Sequence, residues 1–355
     1  MRLQIFLYLG IITGSCACGE KHYSTNDFYK IHKIDTHIHL NSANPALAKQ
    51  AQEDNFKILA VNVDIENYYP PLEKQLEYAL NQQKLFPKNL DILTAFTLKN
   101  WKSESWEQET IKKLKSDFSK GALGIKIWKN IGMEYRDSDN KLIMIDNPKF
   151  DKIIDYVISQ DKTVMGHLAE PKNCWLPLDS MTILTDAEYY KEFPQYHMYL
   201  HPEFPSYEQQ IKARDNFIER HPKMRFVGAH LGSLEWNVDE LSKRLDKYPN
   251  MAVDLAARIC HLQYQSLKNY NKVREFIIKY QDRIIYGSDS DIESDNRANE
   301  AKTNLHEVWQ TDWKYFVSDE KMTSKKLKGT YQGLWLPQEV VDKIFYQNAV
   351  KWFKM

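Results

Sequence analysis

Short apolar runs alternate with amphipathic stretches eight times between residues 30 and 353. The apolar runs cover residues 30–40, 57–65, 91–98, 122–128, 162–168, 223–231, 251–256 and 283–287, and each reads as a strand. The stretches between and after them carry helical spacing over residues 45–56, 72–85, 107–118, 150–159, 207–220, 238–248, 273–280 and 337–353. Strands that alternate with helices imply a parallel sheet. Eight such units imply closure into a distorted (β/α)8 TIM barrel, whose site lies at the C-terminal ends of the strands. An open doubly wound sheet is the competing fold. It would carry a Gly-rich turn after the first strand, and the sequence HIHLNSANP has none. Two connections are long, residues 170–206 after strand five and residues 290–336 after strand eight. Both follow strand C-termini, so both are expected over the barrel mouth, where long loops usually serve a function.

The 355 residues carry 48 Lys+Arg against 48 Asp+Glu. Zero net charge argues against nucleic-acid binding through bulk charge and favours a small-molecule partner. The chain opens with Arg2, an apolar run over residues 3–12 and then small residues, in the order of a secretory signal. Thr13-Gly14-Ser15-Cys16 resembles a bacterial lipoprotein cleavage site. The expected organisation is a signal peptide over residues 1–15, a lipidated Cys16, an exported linker over residues 16–29 and one barrel over residues 30–355. That makes the protein an exported cell-envelope lipoprotein, or else periplasmic or secreted. It meets the membrane only through lipid, and a homo-oligomer is compatible with the sequence. Cys174 and Cys260 have no nearby partner cysteine and read as buried thiols.

Chemistry gathers at the strand ends. His37-Ile38-His39 closes strand one, and alternation sends both imidazoles the same way, opposite Ile34, Ile38 and Leu40. Strand five ends at His167, strand six at His230 and strand eight at Asp289. Four histidines and an aspartate at matching ends point to a shared metal or catalytic site. Imidazole ligands suit zinc or another first-row divalent ion better than calcium or magnesium. Lys126 on strand four shares parity with Gly124 and Trp128 and is expected to face the interior. Arg258 after strand seven suits either a carboxylate clamp or a structural ion pair. Glu170 and Trp175 suit pocket lining or packing.

The segments IDTHIHL, GHLAEP, FVGAHLGS, IIYGSD and YQNAVKWF, in this order, resemble the amidohydrolase superfamily, and more closely its amidohydrolase-2 branch of metal-dependent hydrolases and non-oxidative decarboxylases. The resemblance covers residues 30–355. It implies His37, His39 and His167 as metal ligands, His230 as a catalytic residue and Asp289 as both ligand and catalytic acid. It also leaves three states for Lys126: a carboxylated bridge between two ions, a charged substrate contact, or an ion pair. One divalent ion, zinc first, is the expected cofactor, and two if Lys126 is carboxylated. The branch holds both hydrolases and decarboxylases, and the expected export favours hydrolysis of a lactone, ester or amide of a small carboxylated compound, or of a sugar-derived one, which the aromatic insertions and export suggest. Asp289 would accept the water proton, and His230 would donate to the carbonyl oxygen. The alternatives are decarboxylation at the same site and a surface lipoprotein that only binds a ligand.

Overall fold

The computed structural model of the protein describes residues 20–65 and 68–355. The signal and lipidation calls at residues 1–16 therefore lie outside the described residues. Within them, eight parallel strands follow one another around the sheet: β1 (Lys33–Leu40), β2 (Phe56–Val61), β3 (Leu90–Ala95), β4 (Gly124–Ile127), β5 (Thr163–Gly166), β6 (Arg225–Gly228), β7 (Met251–Asp254) and β8 (Ile284–Ile285). A ninth segment, β9 (Ser290–Ile292), continues the eighth unit and pairs in parallel with β1. One stretch of chain thus pairs with β7 at its start and with β1 at its end, which closes the ring. Thr36 N donates to Tyr286 O at 3.1 Å and Asp289 N to His37 O at 2.9 Å, stitching the seam. The fold is the distorted (β/α)8 barrel read from the sequence.

Two apolar layers follow from strand alternation. Ile34, Leu59, Val61, Leu93, Met165, Val227, Ala252 and Ile285 fill the lumen, and Trp352 and Phe353 plug its base. Ile38, Leu40, Ile58, Ala60, Ile92, Val164 and Val253 face outward against the helices. Ile34 and Ile38 therefore lie on opposite faces, although their spacing places them on one. The reason is a bulge: Asp35 pairs with Ile58 and Ile38 with Ala60, so β1 carries one residue more than β2. A bulge re-aims the side chains after it. It turns His37 and His39 into the mouth while Ile34, three residues earlier than His37, still points into the lumen.

Residues 20–29, read as a linker, are packed against the barrel. Phe28 is buried, Tyr23 Oη donates to Asp342 Oδ1 at 2.8 Å, and Trp313 Nε1 donates to Ser24 O at 3.2 Å. The long segment after strand eight is folded rather than looped. It forms a helix over Ala298–Val317 and a hairpin of β10 (Lys321–Ser324) and β11 (Leu327–Gln332). Leu305, Trp309, Trp313 and Phe316 bury one stripe of that helix. The segment after strand five crosses the mouth as short turns around a helix over Leu184–Glu192. It has a small core of its own, in which Met133, Cys174, Tyr190 and Met198 meet. Leu184 N donates to Lys326 O at 2.8 Å and ties this lid to the hairpin. Cys174 and Cys260 are buried and unpaired. Among the described residues no helix is long and apolar enough to cross a membrane.

Candidate active site

The mouth encloses a cavity of about 570 Å³ lined by His37, His39, Lys126, His167, His230, Arg258 and Asp289 among others. Glu170 also lines it, whereas Trp175 packs beside Tyr207 away from the wall, its Nε1 donating to Pro205 O at 3.3 Å. The relation of His37, His39 and His230 is set by hydrogen bonds that fix each ring. His37 Nδ1 lies 2.8 Å from Asp254 Oδ2, His39 Nδ1 lies 2.8 Å from Val61 O, and His230 Nδ1 lies 2.9 Å from Ala256 O. A carbonyl accepts and never donates, so Nδ1 carries the proton in His39 and His230. Asp254, an ionised carboxylate, imposes the same tautomer on His37. His37 and His230, which burial favours in the neutral form, are each left with a lone pair on Nε2.

Two of the rings face one carboxylate. Asp289 Oδ1 lies 3.2 Å from His37 Nε2 and 3.3 Å from His39 Nε2. His37, His230 and Asp289 each offer a ligand atom within 4.8 Å of the others. The two imidazole nitrogens and the carboxylate oxygen form a donor set that fits a first-row divalent ion, and His39 Nε2 stands beside it at 3.3 Å from Asp289 Oδ1. His167 stands one ring further out. Its ring centroid is 4.2 Å from that of His230, and its buried Nε2 has no hydrogen-bond partner and lies 3.8 Å from Glu170 Oε2. His230 presents a lone pair here, not the N–H that the sequence reading assigned to it for a carbonyl oxygen. Lys126 supplies a donor instead: its buried Nζ donates to His37 Nε2 at 2.9 Å.

Burial sets the charge states. It pushes the His230 imidazole down to about 3 and the Lys126 ammonium down to about 8, against the opposing pull of nearby carboxylates. Burial and the Lys126 charge also lower His37, and burial with the neighbouring His230 and Lys129 holds His167 well below its ordinary range. Burial would raise Asp289, but His230, His37 and His39 outweigh it and keep the carboxyl well below the usual range. Burial favours the neutral form of the His37, His167 and His230 rings.

The backbone that presents these groups is strained. His230, Leu231, Gly232 and Ser233 all take left-handed backbone, with φ of 60°, 57°, 61° and 57°. Ala257 and Asp289 do the same at 54° and 67°. Each non-glycine residue there costs about 1 kcal/mol or more. Hydrogen bonds hold the turn: Asp254 Oδ1 accepts from His230 N at 2.7 Å, Ser233 Oγ donates to Ala169 O at 2.6 Å, and Arg214 donates to Gly232 O. Gly287 makes room for the seam, since a Cβ there would sit 3.0 Å from His37 Cβ.

The lid side of the cavity differs in character. Tyr68, Tyr69, Trp128, Tyr189, Phe193 and Tyr196 wall it. Lys129 pairs with Glu170. Arg258 lines the wall with its Nε buried and unpartnered; burial opposes its charge, but Asp186 and Glu235 outweigh that and hold the guanidinium protonated. Asp186 accepts from Asn173 Nδ2 at 2.8 Å and faces His261 Nε2 at 3.3 Å. The sequence reading passed over Asp254, Lys129 and Asp186. Asp254 had a signal, a lone acid closing the apolar run MAVD.

The sequence pattern of the amidohydrolase family matches residues 100–355. The chain belongs to the amidohydrolase family. The match spans Lys126, His167, His230, Arg258 and Asp289, and as a family member the protein is an enzyme, a hydrolase or a decarboxylase. No curated protein matches the sequence. Among solved structures, an amidohydrolase II is similar over 91 % of this chain and 100 % of its own, at 14 % identity and a TM-score of 0.54. An uncharacterised TIM-barrel protein from Bordetella bronchiseptica is similar over 91 % of this chain and 99 % of its own, at 10 % identity and 0.52. 5-Carboxyvanillate decarboxylase from Novosphingobium aromaticivorans, solved with manganese, is similar over 93 % of this chain and 97 % of its own, at 10 % identity and 0.53. These similarities establish the barrel fold of the amidohydrolase.

Proposed function

We propose that this amidohydrolase hydrolyses a C–O or C–N bond, in a lactone, ester or amide, of a small anionic or sugar-derived compound. The observation that carries this reading is the cluster of His37, His230 and Asp289, whose ligand atoms lie within 4.8 Å of one another while Nδ1 of each ring is tied to an acceptor. His37, His230 and Asp289 would hold a single divalent ion, zinc first, with His39 beside Asp289 and His167 behind His230. Such an ion supplies Lewis acidity, lowering the pKa of water from 15.7 towards roughly 7 and polarising a carbonyl.

The chain's own groups do the rest. Asp289, kept ionised, takes the proton of the attacking water and returns it to the leaving group. Lys126 donates to the substrate carbonyl oxygen, the part first read for His230. Arg258 has an unpartnered buried Nε on the cavity wall, and an anionic group of the substrate completes it. The tyrosines and Trp128 cover the faces of the compound and exclude water. Export and lipid attachment at Cys16 belong to the same proposal, and mass spectrometry of the mature N-terminus tests them.

The aromatic wall beside a fixed cation also favours a second reading, decarboxylation of an aromatic acid. One experiment separates the two. The protein is offered a panel of lactones, esters, amides and aromatic carboxylates in 18O-labelled water, and products are read by mass spectrometry. Hydrolysis predicts one 18O in the carboxyl group of the acid formed, none in a released alcohol or amine, and no carbon dioxide. Carbon dioxide release without 18O incorporation would overturn it.

A further inference from the structure

Two carboxylates are buried beneath the mouth, and they differ in one partner. Asp35 Oδ1 accepts from His37 N and Ser288 N, each at 3.0 Å, and its Oδ2 accepts from Trp309 Nε1 at 2.7 Å. Asp254 Oδ1 accepts from His230 N at 2.7 Å and Ala256 N at 3.1 Å, and its Oδ2 accepts from His37 Nδ1 at 2.8 Å. Neither side chain is accessible to solvent. Both carboxylates pin backbone across a strand seam, but only Asp254 also holds an imidazole. It does so while pinning the first residue of the left-handed turn that carries His230. Ala256, whose N–H Asp254 also holds, receives His230 Nδ1–H on its carbonyl oxygen.

We propose that Asp254 is the positioning residue of the metal centre, setting the His37 tautomer and the place of the His230 ring through one side chain. The inference rests on the metal-centre reading above. Asp254 touches neither the cavity nor any reacting atom, so it acts only through His37 and His230. All three of its partners are donors. An asparagine offers one acceptor oxygen and one donor NH2, so in Asp254→Asn either the His37 ring or the His230 turn meets an N–H facing an N–H. In the first case His37 is driven towards the Nε2–H form, which removes its lone pair from the site. In the second, the strained turn loses a tie that holds it left-handed. Partners of this kind typically change metal affinity by 10–100-fold.

The test uses the full chain, stripped of metal, in three forms: unchanged, Asp254→Asn and Asp35→Asn. Zn2+ is titrated by calorimetry, and the histidine ring nitrogens of the metal-free protein are read by 15N NMR. The expected result is an unchanged protein with His37 as the Nδ1–H tautomer, a loss of about 10–100-fold in Zn2+ affinity for Asp254→Asn, and less than about threefold for Asp35→Asn. Asp254→Asn that folds and binds Zn2+ as tightly as the unchanged chain overturns the proposal, as does an equal loss in Asp35→Asn. If Asp254→Asn does not fold, the unchanged chain decides: an Nε2–H tautomer at His37 overturns the proposal and an Nδ1–H tautomer supports it. Failure of the unchanged chain to bind Zn2+ would sink the metal-centre reading instead, and the tautomer would still report on Asp254.

Discussion

The two ends of the cavity are built differently. At the barrel end, each of His37, His39 and His230 has Nδ1 tied to an acceptor, and Nε2 of His37 and His39 lies 3.2 and 3.3 Å from Asp289 Oδ1. At the lid end, buried Arg258 Nε on the cavity wall has no hydrogen-bond partner. Buried polar atoms without partners are uncommon in folded proteins and call for an explanation such as water, an ion or a ligand. The barrel end holds His37, His39 and His230 by fixed acceptors and a strained backbone, with His167 Nε2 left buried and unpartnered beside them. Under the proposed function, chemistry falls to the barrel seam and recognition to Arg258 and the aromatic wall.

The sharpest way to break this contrast is to change the barrel end. Asp289→Asn should lower kcat by about a thousandfold with little change in KM, measured on whichever substrate the panel identifies. A loss confined to KM would contradict the division. Arg258→Lys keeps the charge but loses the Nε–H and the planar fork. It should raise KM by about tenfold or more and leave kcat within a few-fold, and a fall in kcat alone would place Arg258 with the chemistry. Tyr189→Ala, on the lid wall, should raise KM only about threefold to tenfold, the value of one aromatic contact.

The smallest effect lies outside the cavity and concerns stability. Asp312 accepts from Tyr286 Oη at 2.9 Å, and burial raises its carboxyl to about 6. A carboxyl raised in the folded state binds more protons there than in the unfolded chain. Its stabilising contribution is therefore full below about pH 4 and is lost as pH rises through about 6. Asp312→Asn should raise Tm at pH 7.5 by a few degrees, about 2–4 °C for each kcal/mol recovered, and leave it unchanged at pH 4. An equal shift at both pH values would show packing rather than ionisation. Asp35, buried with neutral partners and likewise raised to about 6, makes the same point.

The sequence announces what repeats and conceals what departs from repetition. The helices over Leu72–Leu85 and Tyr207–Arg220 match their predicted limits, because their buried residues recur at helical spacing. The strand-end histidines and Asp289 were legible because each closes an apolar run. The β1 bulge was not, since alternation cannot reveal one extra residue, and so Ile34 was assigned the wrong face. The helix over Ala298–Val317 carries its stripe of Leu305, Trp309, Trp313 and Phe316 within a polar stretch that composition disguised. The left-handed turn at His230 and the tautomers depend on partners distant in sequence, such as Asp254 and Ala256, and no local pattern encodes them.

The central claim is that the barrel end is a single divalent-ion centre. Zn2+ titration of the metal-stripped protein, beside His37→Ala and Asp289→Asn, tests it without knowledge of the substrate. The account predicts one ion bound per unchanged chain, and binding lost or weakened by at least about a hundredfold in each variant. No Zn2+ binding by the unchanged chain, or binding indifferent to both substitutions, would contradict it.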